Sequence, residues 1–203
     1  MKGKFITFEG SEGCGKSTQS KLLFQYLKKS GFAVVYLREP GGTRVSEKIR
    51  DILLSTDNHM SPECETMLYM AARAQIVDEL IKPALLKGKI VICDRFLDST
   101  IAYQGYGLGI DVDFIKNVGW FVSEGIVPDL TIFLDLPVKK GLKHRESSKD
   151  RIEKRSYTYH ERVRRGYLML ADQEPKRIKV VKVDKDLNKT QKNIRALIDK
   201  YVL

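Results

Sequence analysis

The sequence has few cysteines and no long apolar run. Its three cysteines, Cys14, Cys64 and Cys93, are odd in number and widely spaced among 203 residues. This pattern disfavours a disulfide framework and a zinc site, so we interpret them as reduced thiols. The apolar run at residues 5–8 is interrupted at once by Glu9. We therefore expect neither a signal peptide nor a membrane span, and we expect a cytoplasmic protein.

Acidic residues are in the minority. The chain has 26 Asp and Glu against 36 Lys and Arg, a formal charge of +10, so we expect an anionic partner. It lacks the helix-turn-helix, zinc-finger and RNA-binding aromatic motifs that accompany nucleic-acid binding. The phosphates of small nucleotides therefore suit the charge at least as well as a polymer does. A nucleic-acid-binding module is the alternative, and it predicts binding that weakens steeply with salt.

The most informative stretch is the glycine-rich segment at residues 10–18, which follows a short apolar run and precedes a helical pattern. This order of strand, glycine loop and helix is the context of a P-loop. Gly10 and Gly15 let the backbone turn tightly, so that successive N–H groups converge on phosphate oxygens. Lys16 would reach the β- and γ-phosphates, and the Ser17 hydroxyl would hold Mg²⁺. The predicted nucleotide-binding residues are Gly10, Ser11, Glu12, Gly13, Cys14, Gly15, Lys16, Ser17 and Thr18.

The hydrophobic pattern predicts one α/β domain over residues 1–203, because five apolar strands alternate with helical stretches. We expect a five-stranded, mostly parallel sheet with helices on both faces. Gly31 should end the first helix, Pro83 should kink or end a helix that begins after Ser61, and residues 105–109 should form a mobile loop. The predicted strands are 5–8, 33–37, 89–93, 130–134 and 178–183, and the predicted helices are 16–30, 46–54, 61–87, 113–123, 138–145, 159–171 and 187–201.

A second group of polar residues falls at strand ends. Asp94 and Arg95 follow an apolar strand, so Asp94 can reach Mg²⁺ through water and Arg95 can grip a phosphate with two hydrogen bonds. A structural ion pair is the alternative for these two. Residues 38–43 follow another strand and are rich in turn formers. We expect substrate contacts there, at the carboxyl edge of the sheet.

Two further sets of polar residues have helical spacing. Tyr69 and Arg73 stand four apart, so they share a helix face and can stack on and hydrogen-bond to one planar ligand. A solvated helix face explains such a pair more often than a ligand site does. Four others offer hydroxyls and an amide that either line a base and sugar pocket or decorate a surface: Ser99, Thr100, Tyr103 and Gln104.

These segments together resemble the thymidylate kinase family over nearly the whole chain. The resemblance implies a P-loop NTPase fold with a short basic lid at about residues 143–156. It also implies ATP and dTMP as substrates, Mg²⁺ as cofactor, a homodimer, and no nucleic-acid or membrane partner. The segments that carry it are residues 9–18, 38–43, 47–50, 69–73, 94–105, 128–135 and 150–153.

The resemblance also implies roles for individual residues. Arg95, Arg50 and Arg38 would hold the acceptor phosphate, Glu12 would lie near the sugar and the metal, and Tyr69 would stack on thymine, where the family usually has Phe. Pro40 falls where the family can use a cis-proline, and Tyr103 would face the deoxyribose. The implied catalytic residues are Glu12, Lys16, Arg95 and Arg151, and the implied metal ligands are Ser17 and Asp94. The implied substrate-binding residues are Arg38, Glu39, Pro40, Arg50, Tyr69, Arg73, Arg95, Ser99, Thr100, Tyr103 and Gln104.

Some members of the family carry an arginine in the P-loop that contacts the transferring phosphoryl group, at the position that is Gly13 here. Because this chain has no arginine there, the resemblance implies that an arginine of the lid supplies the positive charge. We expect this residue to be Arg151, with Arg145 and Arg155 as the other candidates. Two alternative functions keep the fold: a P-loop switch GTPase or ATPase, and a kinase for another nucleoside monophosphate. The nearest approach to a guanine-specificity motif, at residues 188–191, lacks its acid.

Overall fold

Strands and helices alternate along the chain. The computed structural model describes residues 3–144 and 150–202. The strands are β1 Lys4–Glu9, β2 Val34–Arg38, β3 Ile90–Asp94, β4 Leu130–Asp135 and β5 Ile178–Lys182. The helices are α1 Lys16–Lys29, α2 Arg44–Leu54, α3 Pro62–Ile76, α4 Lys82–Leu86, α5 Leu97–Thr100, α6 Val112–Val122, α7 Val138–Lys143, α8 Tyr157–Gln173 and α9 Leu187–Tyr201. Two π-helical segments, Val77–Ile81 and Ile101–Gly107, join α3 to α4 and extend α5.

The five strands form one sheet in the order β2-β3-β1-β4-β5, and every pair of neighbours is parallel. This confirms the predicted sheet. The register pairs Phe8 with Asp94 on one side of β1 and Glu9 with Phe133 on the other. The loops after β1, β2 and β3 therefore leave the same edge of the sheet, where parallel α/β sheets bind their ligands.

Both faces of the sheet are covered, which explains why the strands are almost continuously apolar. Successive side chains of a strand point to opposite faces. Ile6 accordingly packs with Leu23 of α1 and Ile194 of α9, whereas Phe5 packs on the other side with Ile76 of α3. All five side chains are 0 or 1% exposed. The apolar faces of α1, α3 and α9 thus fix the central strand and the loop that follows it.

Local signals set several helix ends as predicted. Ser61 caps α3 by accepting the Cys64 N–H, and Pro62 occupies the first helical position. Gly31 follows α1 with a left-handed backbone, φ 87°, as expected after a helix. Thr43 caps α2 by accepting the Ser46 N–H, so this helix begins two residues before the predicted start.

The loop predicted at residues 105–109 is wrong for its first half. Gly105 and Gly107 are buried in the π-helical segment that packs on α8. A Cβ at Gly107 would lie 2.6 Å from the Tyr159 ring and 3.0 Å from Val163, so this glycine allows close packing rather than a flexible turn. At Pro83 the helix does not end. A π-helical turn precedes the proline, which has no N–H for the regular helical pattern.

The described parts of the chain contain no helix that is both long and apolar enough to cross a membrane. Within the same residues, no three His, Cys, Asp or Glu side chains are grouped so that they could hold a metal ion. Cys14, Cys64 and Cys93 are all free thiols, as expected.

Candidate active site

The loop after β1 has the predicted P-loop arrangement, because only six residues separate the end of the strand at Glu9 from the start of α1 at Lys16. Gly13 and Gly15 have left-handed backbones, with φ of 68° and 89°. A Cβ at Gly13 would lie only 1.9 Å from the carbonyl oxygen of Gly141 in α7. Position 13 therefore has no room for any side chain, and an arginine there would require α7 to move.

Lys16 and Ser17 begin α1 beside the loop. The Lys16 ammonium group donates a hydrogen bond to the Ser11 carbonyl oxygen at 2.8 Å and lies 3.7 Å from the Cys14 sulfur. The Ser17 hydroxyl donates to Asp94 Oδ2 at 2.5 Å. Asp94, at the end of β3, therefore lies beside the P-loop, as predicted.

Arg95 follows β3 with a left-handed backbone, φ 73°, which is uncommon for a residue other than glycine. Its Nη2 lies 2.6 Å from Glu12 Oε1 and donates to the Tyr103 hydroxyl at 3.1 Å. Its Nη1 donates to the hydroxyls of Ser99 and Tyr167 at 3.1 and 3.3 Å. Burial alone would lower the pKa of Arg95, but its surroundings, Tyr103 and Glu12 above all, raise it well above its ordinary value. The guanidinium is a fixed positive charge beside the P-loop.

Glu9 is a buried acid that was not among the site residues predicted from the sequence. Its Oε1 accepts the Phe96 N–H at 2.8 Å, and its Oε2 accepts the Ser99 and Tyr167 hydroxyls at 2.5 and 3.0 Å. Burial, reinforced by the charge of Asp98, raises the pKa of Glu9 to about 7. These bonds hold the segment after β3 against the end of β1. The sequence signal is an acid that ends an apolar strand directly before the glycine loop.

Arg73 is buried rather than solvated. It forms an ion pair of 2.7 Å with Glu39, in which the two side chains are 2 and 4% exposed, and it donates to Thr100 Oγ1 at 3.0 Å. Burial raises the pKa of Glu39, and the charge of Arg73 opposes that shift. Gln104 lies nearby and donates to Glu65 Oε1 at 2.8 Å. A solvated helix face is therefore excluded for Arg73, which instead projects into the protein beside Tyr69.

Two more arginines lie on residues 38–50. Arg38 forms an exposed ion pair with Glu47 at 3.0 Å. Arg50 donates to the Pro40 carbonyl oxygen at 2.9 Å, and the Glu39–Pro40 bond is cis. Burial and the neighbouring charge of Arg38 lower the pKa of Arg50.

These residues surround one cavity of about 360 Å³ that extends from the P-loop to α3 and the segment after β3. Among the residues singled out from sequence, it is lined by Glu12, Gly13, Gly15, Lys16, Ser17, Thr18, Arg38, Glu39, Pro40, Arg50, Tyr69, Arg73, Asp94, Arg95, Ser99, Thr100, Tyr103 and Gln104. The others, Gly10, Ser11, Cys14 and Arg151, do not line it.

Arg151 lies beside the cavity, against α2 and α3. Its Nε donates to the Leu53 carbonyl oxygen at 2.9 Å, and its Nη2 forms an ion pair with Glu65 Oε2 at 2.6 Å. Arg155 contacts the same Glu65 oxygen at 2.6 Å. Glu65 had no role in the sequence predictions. Arg145, the remaining lid candidate, falls outside the described residues.

A phosphate-binding loop thus shares one cavity with a second cluster of arginines and with buried groups that can read a planar ligand. This combination on a parallel α/β sheet defines a P-loop kinase that transfers phosphoryl groups between nucleotides. The chain matches the family described as thymidylate kinase over residues 8–194, and it belongs to that family.

Similar proteins cover the whole chain. It is 46% identical over 203 residues to the thymidylate kinase of Thermoanaerobacter sp. (strain X514), and the alignment covers 100% of both chains. It is 52% identical over 177 residues to that of Halothermothrix orenii, covering 85% of this chain and 86% of the relative. A crystal structure of thymidylate kinase from Ehrlichia chaffeensis superposes with a TM-score of 0.80 at 35% identity, covering 98% of this chain and 99% of the other.

The protein is therefore an enzyme that phosphorylates dTMP to dTDP with ATP, a step in dTTP synthesis. The family resemblance inferred from the sequence motifs is confirmed. The switch GTPase, the nucleic-acid-binding module and the kinase for another monophosphate are all set aside by this membership.

Proposed function

We propose that the cavity holds the two substrates end to end, with the ATP phosphates on the P-loop and dTMP between Arg95 and Arg73. The observation that carries this proposal is the continuous lining, from Lys16 at one end to Gln104 at the other. One domain, residues 1–203, would contain both sites, with residues 143–156 as the lid. Because the acceptor is a phosphate rather than an alcohol, it needs no general base at neutral pH. The protein's task is to bring like charges together.

The charges available for this task lie at both ends of the phosphoryl path. Lys16 would exchange its bond to the Ser11 carbonyl oxygen for the β- and γ-phosphates, at little cost because one acceptor replaces another. Arg95 would grip the acceptor phosphate while Glu12 keeps its guanidinium in plane, and Arg50 and Arg38 would add charge from α2 and β2. Such preorganised charges are worth more in a water-poor cavity than in solution.

The residues present fit a magnesium ion. Ser17 and Asp94 supply the hydroxyl and carboxylate oxygens that Mg²⁺ prefers, and their direct contact at 2.5 Å brings both to one place beside the loop. We propose that Ser17 binds the ion directly and that Asp94 holds one of its waters. The ion would neutralise charge on the ATP phosphates, and Ser17 and Asp94 would hold it beside Lys16.

The base would lie between Tyr69 and the buried groups opposite. Tyr69 supplies an aromatic face, and Arg73 supplies donors whose direction is fixed by Glu39 and Thr100. The paired charge of Arg73 costs less to bury than a free one. Gln104 closes this end of the cavity.

Substitution of Tyr103 tests the proposed placement of dTMP. We propose that its ring lies against the deoxyribose and leaves no space for a 2′-hydroxyl. Tyr103 is 5% exposed, and its hydroxyl donates to Glu12 at 2.7 Å. Tyr103→Ala should narrow the ratio of kcat/KM between dTMP and its ribonucleotide analogue by about tenfold, as expected when one steric obstacle is removed from a site. Steady-state kinetics with both nucleotides measures the ratio.

Tyr103→Phe is the matched control, because it removes only the hydroxyl. It should lower activity by loosening Glu12 and Arg95, and it should keep the preference for the deoxynucleotide. If Tyr103→Ala keeps the wild-type ratio, the sugar does not lie against this ring, and the proposed placement of dTMP is wrong.

We also propose a homodimer that works in the cytoplasm. Trp120 and Phe121 on α6 are 61 and 81% exposed, and Met67 on the adjacent helix α3 is 48% exposed. Core packing therefore does not account for these side chains, and an apolar patch of this kind supports an interface between copies. A monomer in sedimentation equilibrium at micromolar concentration would refute the dimer.

The free thiols support a reducing compartment.

A further inference from the structure

Glu65 lies on α3 behind the cavity wall rather than in it. The side chain is 0% exposed, and its Oε1 accepts the Gln104 amide N–H at 2.8 Å. Gln104 itself is 1% exposed and lines the cavity. A buried acid is thus the direct neighbour of the amide that would face the base.

The other oxygen of Glu65 is engaged by two cations. Arg155 donates to Oε2 at 2.6 Å, and Arg151 forms an ion pair with the same atom at 2.6 Å. A carboxylate that pairs with guanidinium groups has acceptor sites only. Gln104 can therefore satisfy Glu65 only by turning its NH₂ group toward it. The opposite amide orientation would set two oxygens against each other in a buried site, which is costly.

This orientation decides what Gln104 can offer to a ligand. Because one N–H of the amide is bonded to Glu65, the NH₂ group stays on the Glu65 side, and the carbonyl oxygen, an acceptor, is the group that the amide can turn toward a ligand on its other side. Thymine carries an N3–H donor beside its O4 acceptor, whereas cytosine carries a bare N3 acceptor beside an amino donor. An acceptor from Gln104 and donors from Arg73 match thymine at both atoms and oppose cytosine at both.

We propose that Glu65 is a specificity-determining positioning residue, which orients the Gln104 amide so that the site accepts a thymine edge and rejects a cytosine edge. Arg155 holds Glu65 in place for this purpose. This inference rests on the proposed placement of the base beside Arg73 and Gln104.

The test is the ratio of kcat/KM for dTMP to that for dCMP in Glu65→Gln. A glutamine at position 65 can accept or donate, so the Gln104 amide is free to turn its NH₂ toward cytosine N3. The ratio should fall by about tenfold or more, the scale of one mismatched buried hydrogen bond, and part of the fall should come from faster turnover of dCMP. In a Gln104→Leu background, the same change should leave the ratio unaltered, because the amide is gone.

Glu63→Gln is the matched control. It makes the same chemical change two residues away on the exposed side of α3 and should leave the ratio at the wild-type value. Should Glu65→Gln not fold, Glu65→Gln combined with Arg155→Met removes one unpaired guanidinium along with the carboxylate. That double variant should show the same fall in the ratio.

Two results overturn the inference in different ways. If Glu65→Gln lowers kcat/KM for both nucleotides equally, Glu65 supports only the fold, and the base site can stand without it. If Gln104→Leu leaves the dTMP to dCMP ratio unchanged, the base does not lie against Gln104, and the proposed site fails with the inference.

Discussion

Lys16→Ala should lower kcat by about a hundredfold or more, the effect of deleting one preorganised charge from a transition state, while the protein stays folded. Among the described residues, the side chain donates to the Ser11 carbonyl oxygen and weakly to the Cys14 sulfur, so its removal takes little from the core. The substitution does, however, remove the ammonium group of Lys16, the first residue of α1, which we expect to bind the ATP phosphates. Coupled assay of ADP formation gives kcat, and circular dichroism gives the melting temperature.

Lys21→Ala is the matched control for this prediction. Lys21 is exposed on the same helix and should tolerate the change with wild-type turnover. Near-normal turnover in a folded Lys16→Ala variant would refute the assignment of residues 10–18 as the site of ATP phosphate binding.

Arg151→Ala should lower kcat by about 10³-fold, the lower end of what arginine fingers contribute, and should leave the KM for dTMP nearly unchanged. Gly13 has no room for a side chain, since its Cβ would lie 1.9 Å from the Gly141 oxygen. Position 13 therefore cannot supply an arginine to the transferring phosphoryl group, and we propose that Arg151 supplies it instead. In this structure Arg151 forms an ion pair with Glu65, so in the proposed role it would leave that contact while Arg155 keeps Glu65 paired.

The comparison of three lid arginines tests this assignment. Arg151→Lys should restore little, because a point charge does not reproduce a planar fork. Arg155→Ala should change the dTMP to dCMP ratio more than it changes kcat with dTMP. If Arg145→Ala or Arg155→Ala costs far more kcat than Arg151→Ala, another lid residue supplies the charge. If none of the three matters, the lid mechanism is wrong.

The fold was predictable because its signals are local. The apolar strands stand out where both faces are buried, and β1 with the following glycine loop identifies the P-loop before any long-range contact is known. The same holds for helix ends such as Ser61 and Gly31, whose chemistry acts within a few residues. Predicted strand and helix boundaries are accordingly close to those observed.

The buried partners of the site were not predictable in the same way. Glu65 meets Gln104 across 39 residues and Arg155 across 90, and Glu9 meets Tyr167 across 158. Helical periodicity gives the face of a residue but not what packs against that face. Arg73 therefore had two interpretations from sequence, and only its ion pair with Glu39 removes one of them. The segment at residues 105–107 failed for a related reason, because glycine marks close packing as often as a turn.

The central claim is that one cavity brings ATP together with dTMP. Its most direct test is to measure kcat/KM for a panel of acceptor nucleotides. We predict that kcat/KM measured with ATP at saturating concentration is higher for dTMP than for AMP, CMP, GMP or UMP. An acceptor from that panel used as well as dTMP or better would contradict the account of the acceptor site.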